Sequence, residues 1–264
     1  MTVNLGSTFA TYNYYVKNSA TALTMQANDP QTKRDITYYE ANIGKLKTAD
    51  DFVNNYTIFN TAMTAFGLSD MAHAKAYMKK VLESDLSDKN SFANRLADDR
   101  FVNFAKAFSQ FSSVEGASTL NPPMAAADVG KLFLAQSMET TIGTEDQGVQ
   151  LALYFRRNAS SIKSAYTVIG DAAMWKVMTT VYGFPATMGG IDIDQQKKIV
   201  EQKFTPADMQ DPAKVDKLLQ RFTAIWDATE NVASDPILAL FQTGSSSSTS
   251  DAFTSSLLDL KYGG

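Results

Sequence analysis

The sequence of 264 residues contains no cysteine and a single histidine, His73. Without a thiol there can be no disulfide, cysteine-ligated zinc, iron–sulfur cluster or cysteine nucleophile. One imidazole cannot build a multi-histidine metal centre, and no G-x-S-x-G elbow accompanies it to begin a serine–histidine–carboxylate triad. Excess positive charge is missing too. The 24 basic and 28 acidic side chains give a net charge of −4, which offers no field to hold a phosphate backbone, so nucleic acid is not an expected partner. No apolar run approaches the roughly 18 residues that span a bilayer, so no transmembrane segment is expected. Residues 1–10 carry neither a positive cluster nor an apolar signal core. The expected location is therefore the cytoplasm, or a site reached by export without a cleaved signal.

What is present reads as a globular, all-α chain. The hydrophobic fraction of 44% and aromatic fraction of 11% are enough to build a core, in one large domain or two small ones. Asp29-Pro30, Asp211-Pro212 and Asp235-Pro236 each set a capping carboxylate before a proline at the first helical position. Thr48 to Asp51 and Thr205 to Asp208 are further helix starts, each with an acid in the first turn. Phe52, Tyr56, Phe59, Met63 and Phe66 recur every three or four residues and stop at Gly67, a C-terminal cap. Ile162, Tyr166, Ile169, Ala173, Val177 and Val181 form a second stripe, ending at Gly183. No run alternates with the two-residue period of a strand.

The expected helices fall at 7–27, 30–44, 49–66, 70–84, 91–96 and 98–110, then at 124–141, 145–158, 161–182, 192–203, 212–229 and 235–241. This divides the chain into an N-terminal helical half (1–110), a linker or long loop (111–123) and a C-terminal helical half (124–242). A serine-rich tract with a terminal amphipathic helix follows over 243–264. The halves read as pseudo-repeats, since in each an aromatic-rich helix ends in Phe66-Gly67-Leu68 or Tyr182-Gly183-Phe184 before an acidic turn and another helix.

The motifs that could carry chemistry have simpler structural readings. Asp192-Ile193-Asp194 opens like a calcium loop, but Lys197 stands where its glycine should be and Lys203 where its glutamate should be. Helix capping explains Asp192, and also Asp98-Asp99 before Arg100. Ser160-Ser161-Ile162-Lys163 has the Ser-x-x-Lys spacing without its partner motifs. Phosphate-binding glycine patterns are missing. Arg156-Arg157 could meet an anion, but paired arginines near a helix end ordinarily answer the dipole or nearby carboxylates. No catalytic, cofactor-binding or metal-ligating residue is therefore assigned. The remaining signal is aromatic: Tyr12, Tyr14, Tyr15, Tyr38 and Tyr39 crowd the N-terminal region and cannot all face one core, which marks them as candidate contacts for a protein partner.

Several strings carry a resemblance. Ile43-Gly44-Lys45-Leu46-Lys47-Thr48-Ala49-Asp50-Asp51-Phe52 leads to Ala65-Phe66-Gly67-Leu68. Lys80-Val81-Leu82-Glu83-Ser84-Asp85 leads to Ser91-Phe92-Ala93-Asn94-Arg95-Leu96-Ala97-Asp98-Asp99-Arg100. Leu151-Ala152-Leu153-Tyr154-Phe155-Arg156-Arg157 and Asp211-Pro212-Ala213-Lys214 follow in the second half. Together they resemble the alphaproteobacterial domain-of-unknown-function family 1217 over roughly residues 8–242. Members of that family are encoded in flagellar gene clusters. The resemblance transfers no catalytic residue; its motifs are helix caps, turn glycines and packing aromatics.

It implies a structural or assembly protein of the bacterial flagellum, and the residue inventory adds that it is not an enzyme and uses no cofactor. Flagellar components are then the expected partners, and the missing cysteine agrees with an exported protein. One alternative is a cytoplasmic adaptor, export chaperone or regulator that binds a partner helix through the 52–66 stripe. A second is a carboxylate-dependent hydrolase acting near the cell wall, which requires two acids facing each other in a cleft.

Overall fold

The structure, a computed structural model, describes residues 2–230. Every regular element among the described residues is helical, so the all-α expectation holds. The first part runs α1 (Thr8–Lys17), α2 (Ser19–Ala27), α3 (Pro30–Asn42), α4 (Ala49–Asn54), α5 (Tyr56–Ala65), α6 (Lys75–Leu82) and α7 (Asp99–Ala107). After the short α8 (Ala117–Leu120) come α9 (Ala126–Gly143), α10 (Gln147–Asn158), α11 (Ala165–Gly170) and α12 (Ala172–Tyr182). The described part closes with α13 (Ile193–Glu201), α14 (Pro206–Met209) and α15 (Pro212–Thr229). The expected helix at 235–241 and the serine-rich tract at 243–264 lie outside the described residues.

The predicted caps form as chemistry requires. Asp29 accepts from the N–H groups of Gln31 and Thr32, and Asp211 from that of Ala213. Thr48 with Asp51, and Thr205 with Asp208, make reciprocal capping boxes. Gly67 and Gly183 both take the left-handed conformation, at φ +67° and +64°. There the N–H of the following residue reaches back to Met63 or Thr179 and closes the helix end.

Three expected helices are broken in the middle, each at a residue that caps locally. Asn18 parts α1 from α2, its side chain donating to the Tyr14 carbonyl. Asn55 ends α4 and accepts from the Ile58 N–H. That break re-aims the 52–66 stripe: Phe52, Phe59 and Met63 stay in the core, whereas Tyr56 turns into solvent at 76% exposure. The apolar face offered to a partner helix is thus largely occupied by the protein itself. Asp171 divides the 161–182 stripe into α11 and α12, accepting from the N–H groups of Ala173 and Met174.

Burial organises the chain around two apolar clusters. One is built from α3 to α7 and the start of α9, with the Phe52 ring stacked on Phe111 and tilted against Phe104 and Phe108. The other gathers α10 to α15, the end of α9 and, from the far end of the sequence, Tyr12 and Tyr15 of α1. The 18 residues of α9 serve both, Val129 and Phe133 entering the first cluster and Met138 and Ile142 the second. Within 111–123, Gly116 opens α8, and Ser109 Oγ donates to the Asn121 carbonyl. The Met124 N–H then bonds the Ala107 carbonyl, which ties this stretch to the end of α7.

Candidate functional site

A cleft of about 700 Å³ lies between the two clusters. Helical spacing builds its walls. Arg100, Asn103 and Ala107 step along α7, Asp128, Leu132 and Gln136 along α9, and Tyr154, Arg157 and Asn158 along α10, so each set shares one face. Residues 120–125, carrying Leu120, Pro122, Pro123 and Met124, form the lip. Ala65 and Phe66 close the side beneath the Gly67 turn.

The two arginines in this cleft are already engaged. Arg100 grips Asp98 with Nε at 3.0 Å from both carboxylate oxygens and Nη2 at 2.7 Å from Oδ2. Its Nη1 donates to the Gly67 carbonyl at 2.6 Å, a group the helix end leaves available. Asp171, 3% exposed, lies 3.6 Å from Arg100 Nε and accepts the Tyr154 hydroxyl at 2.6 Å. On α10, Arg157 donates Nε and Nη2 to the two oxygens of Glu139, and Nη2 also to Gln136 Oε1. Its guanidinium lies over the Tyr154 ring, 5.4 Å from the centroid. A polar chain therefore runs from Glu139 through Arg157, Tyr154, Asp171 and Arg100 to Gly67, joining both sides of the cleft.

Burial and pairing act against each other here. Burial pushes the Glu139 carboxyl above its ordinary range, and the Arg157 bonds oppose that without cancelling it. For Arg157, burial disfavours the charge, yet the Glu139 partner raises the guanidinium pKa. The Tyr154 hydroxyl is raised by burial and then by the neighbouring Asp171 charge. Among the described residues Asp128 is the single carboxylate lining the cleft, and it is held by Lys131 at 2.8 Å. A facing pair of acids, as glycoside hydrolysis uses, is not what lines this cleft. A shallower groove of about 500 Å³ is lined by Asp35 and Asp70 among serine, threonine and glutamine side chains. Among the described residues, no group of three or more His, Asp or Glu is placed to hold a metal.

The five tyrosines separate. Tyr12, Tyr15 and Tyr39 are core residues at 2%, 5% and 1% exposure, and this corrects their reading as partner contacts. The reason is that crowding in sequence was resolved by two cores, Tyr12 and Tyr15 entering one and Tyr39 the other. Tyr14 is half-buried, edge-on to Tyr15. Tyr38 remains exposed, with its hydroxyl within 3.5 Å of the Asn55 amide. His73 is exposed, as are Ser160 and Lys163. Asp192 caps α13 through the N–H groups of Asp194 and Gln195. Arg156 and Arg157 answer carboxylates, Asp216 and Glu139 respectively.

Sequence reasoning missed Asp171 as a junction, because the apolar stripe runs straight through it. The signal was Gly170-Asp171, a helix breaker followed by a capping acid.

The segment that builds this cleft coincides with a family match. The model described as Protein of unknown function (DUF1217) matches residues 65–215. The chain belongs to that family. The matched DUF1217 segment contains every residue that lines the cleft, from Ala65 to Ser161. The crystal structure of Protein AGR_C_984 from Agrobacterium tumefaciens is similar, with 35% sequence identity and a TM-score of 0.75. That similarity covers 88% of this DUF1217 chain and 97% of the Agrobacterium one. No curated protein matches the chain.

Proposed function

We propose that this protein is a helical structural or assembly component of the bacterial flagellum, acting through protein–protein contacts and not by catalysis. The observation that carries the reading is large apolar side chains standing in solvent: Tyr56 at 76%, Leu120 at 69%, Leu5 at 53% and Tyr38 at 43% exposure. Exposed apolar and aromatic surface is what protein contacts use. The cleft arginines, by contrast, are bound to carboxylates of the same chain, Arg100 to Asp98 and Arg157 to Glu139, and Arg100 also reaches Asp171. The flagellar setting, with flagellar components as partners and export without a cleaved signal, rests on the gene neighbourhood of family members.

Deleting the gene, then measuring swimming and imaging filaments, tests the proposal. Motility or filament assembly should be impaired and restored by the wild-type copy. Normal swimming with normal filaments would reject the flagellar role. Fractionation tests the location: protein found only in the cytosol would reject export.

A further inference from the structure

We infer that the cleft between α7, α9 and α10 is a peptide-binding groove that takes an extended, acidic segment of a partner protein. It would hold the segment's backbone with side-chain amides and its carboxylates with Lys106. The inference rests on the contact-based function proposed above and names the class of partner.

Four carboxamides line the cleft: Asn103, Asn121, Gln136 and Asn158. A carboxamide sets an N–H donor beside a C=O acceptor, the complement of a peptide group in an extended chain, whose own N–H and C=O lack internal partners. Among the described residues Asn103 has no side-chain hydrogen bond, and Asn121 bonds through its main chain alone, its carbonyl accepting from Ser109 Oγ and its N–H donating to the Ala117 carbonyl. Gln136 gives its oxygen to Arg157 and keeps its NH2 group available. Asn158 spends one N–H on the Tyr154 carbonyl and keeps its oxygen. A helical ligand has satisfied its own backbone and gains little from such an array.

Side chains of an extended segment alternate in direction, so one row can meet the lip while the other faces solvent. The lip supplies apolar surface in Leu120, at 69% exposure, and Met124, at 37%. Charge settles the other preference. Arg100 and Arg157 are neutralised from within, and Asp128 is paired with Lys131. Exposed Lys106, one turn from Asn103 on α7, is the lining charge that no carboxylate of the described residues answers.

The test is titration of the 15N-labelled full chain with an acetylated, amidated octapeptide of alternating leucine and aspartate. Saturable shifts are expected in the side-chain NH2 signals of Asn103, Asn121, Gln136 and Asn158. A leucine–lysine octapeptide of the same design should bind about tenfold more weakly, and Lys106→Glu should weaken the aspartate peptide by about tenfold. Asn103→Ala combined with Asn121→Ala, at positions outside the core, should weaken it comparably. Three results would each overturn the groove: no shift at these four amides up to millimolar peptide, equal affinity for the two peptides, or unchanged affinity in the double variant. Such a failure leaves the flagellar proposal standing, because the gene deletion decides that separately.

Discussion

Arg157 and Glu139 meet across the α9–α10 contact through two parallel hydrogen bonds, Nε to Oε1 at 2.7 Å and Nη2 to Oε2 at 2.8 Å. Glu139 is 2% exposed, so removing its partner strands a carboxylate in the protein interior. Arg157→Met is expected to cost about 3–5 kcal/mol, because an unpaired buried charge forfeits hydration without compensation. Adding Glu139→Leu should recover much of that loss. Denaturant unfolding of the two single variants and the double variant measures the coupling; simple additivity would show that the pair is not energetically linked.

Tyr154 ties the two buried charged groups together. Tyr154→Phe removes the hydroxyl donor from Asp171, which retains two backbone N–H donors and the nearby Arg100. The expected loss is about 1–2 kcal/mol, seen as a lowered urea midpoint with an unchanged slope. A variant as stable as wild type would show that Asp171 does not depend on this bond.

Gly67 combines two demands. Its φ of +67° disfavours any L side chain, and an added Cβ would lie 3.3 Å from Tyr154 Oη and 3.5 Å from Arg100 Nη1. At Gly183 the φ is similar but the Cβ position has nothing within 4 Å. Gly183→Ala should therefore cost the backbone term alone, about 1 kcal/mol, and Gly67→Ala more than that. Equal shifts in melting temperature would mean that the Tyr154–Arg100 neighbourhood yields freely.

Asp208 should titrate near pH 2, lowered first by the Lys214 bond and then by the Thr205 N–H and hydroxyl. Its folded pKa lies below the unfolded value of 3.8, so its stabilising effect is complete above that pH. The effect is lost as pH falls toward about 2. Glu139 has the opposite sign, being raised above 4.5, so protonation favours the folded state as pH falls from its folded pKa toward that value. Carbon-13 carboxyl titration checks both directions. Lys214→Met should move Asp208 back toward ordinary carboxylates; an unmoved midpoint would reject Lys214 as the main cause.

Much of the local structure was legible because its causes are local. A capping side chain two or three residues from the N–H that donates to it, or a glycine where φ must be positive, acts within one turn, so Asp29, Thr48, Gly67, Asp192 and Asp211 behave as read. The helix breaks at Asn18, Asn55 and Asp171 were harder, since an apolar stripe passes through Asn55 and Asp171, and the helix expected over 7–27 runs on through Asn18. There a short side chain competes with the helix for its own backbone groups, and packing decides which arrangement wins. Tyr56 shows the consequence: one break turns a residue from the expected stripe out of the core.

By itself the sequence determined that this chain is all-α, where most helices begin and end, and which chemistries a cysteine-free inventory excludes. It could not determine that Tyr12 of α1 belongs in the core with Trp226 of α15, or that Arg100 of α7 reaches both Gly67 and Asp171. Those pairings span tens to hundreds of residues, and periodicity carries no information about which apolar faces meet. Only the tertiary structure decided that two cores would share α9, leaving between them a cleft whose arginines are paired and whose carboxamides keep unused hydrogen-bonding groups among the described residues.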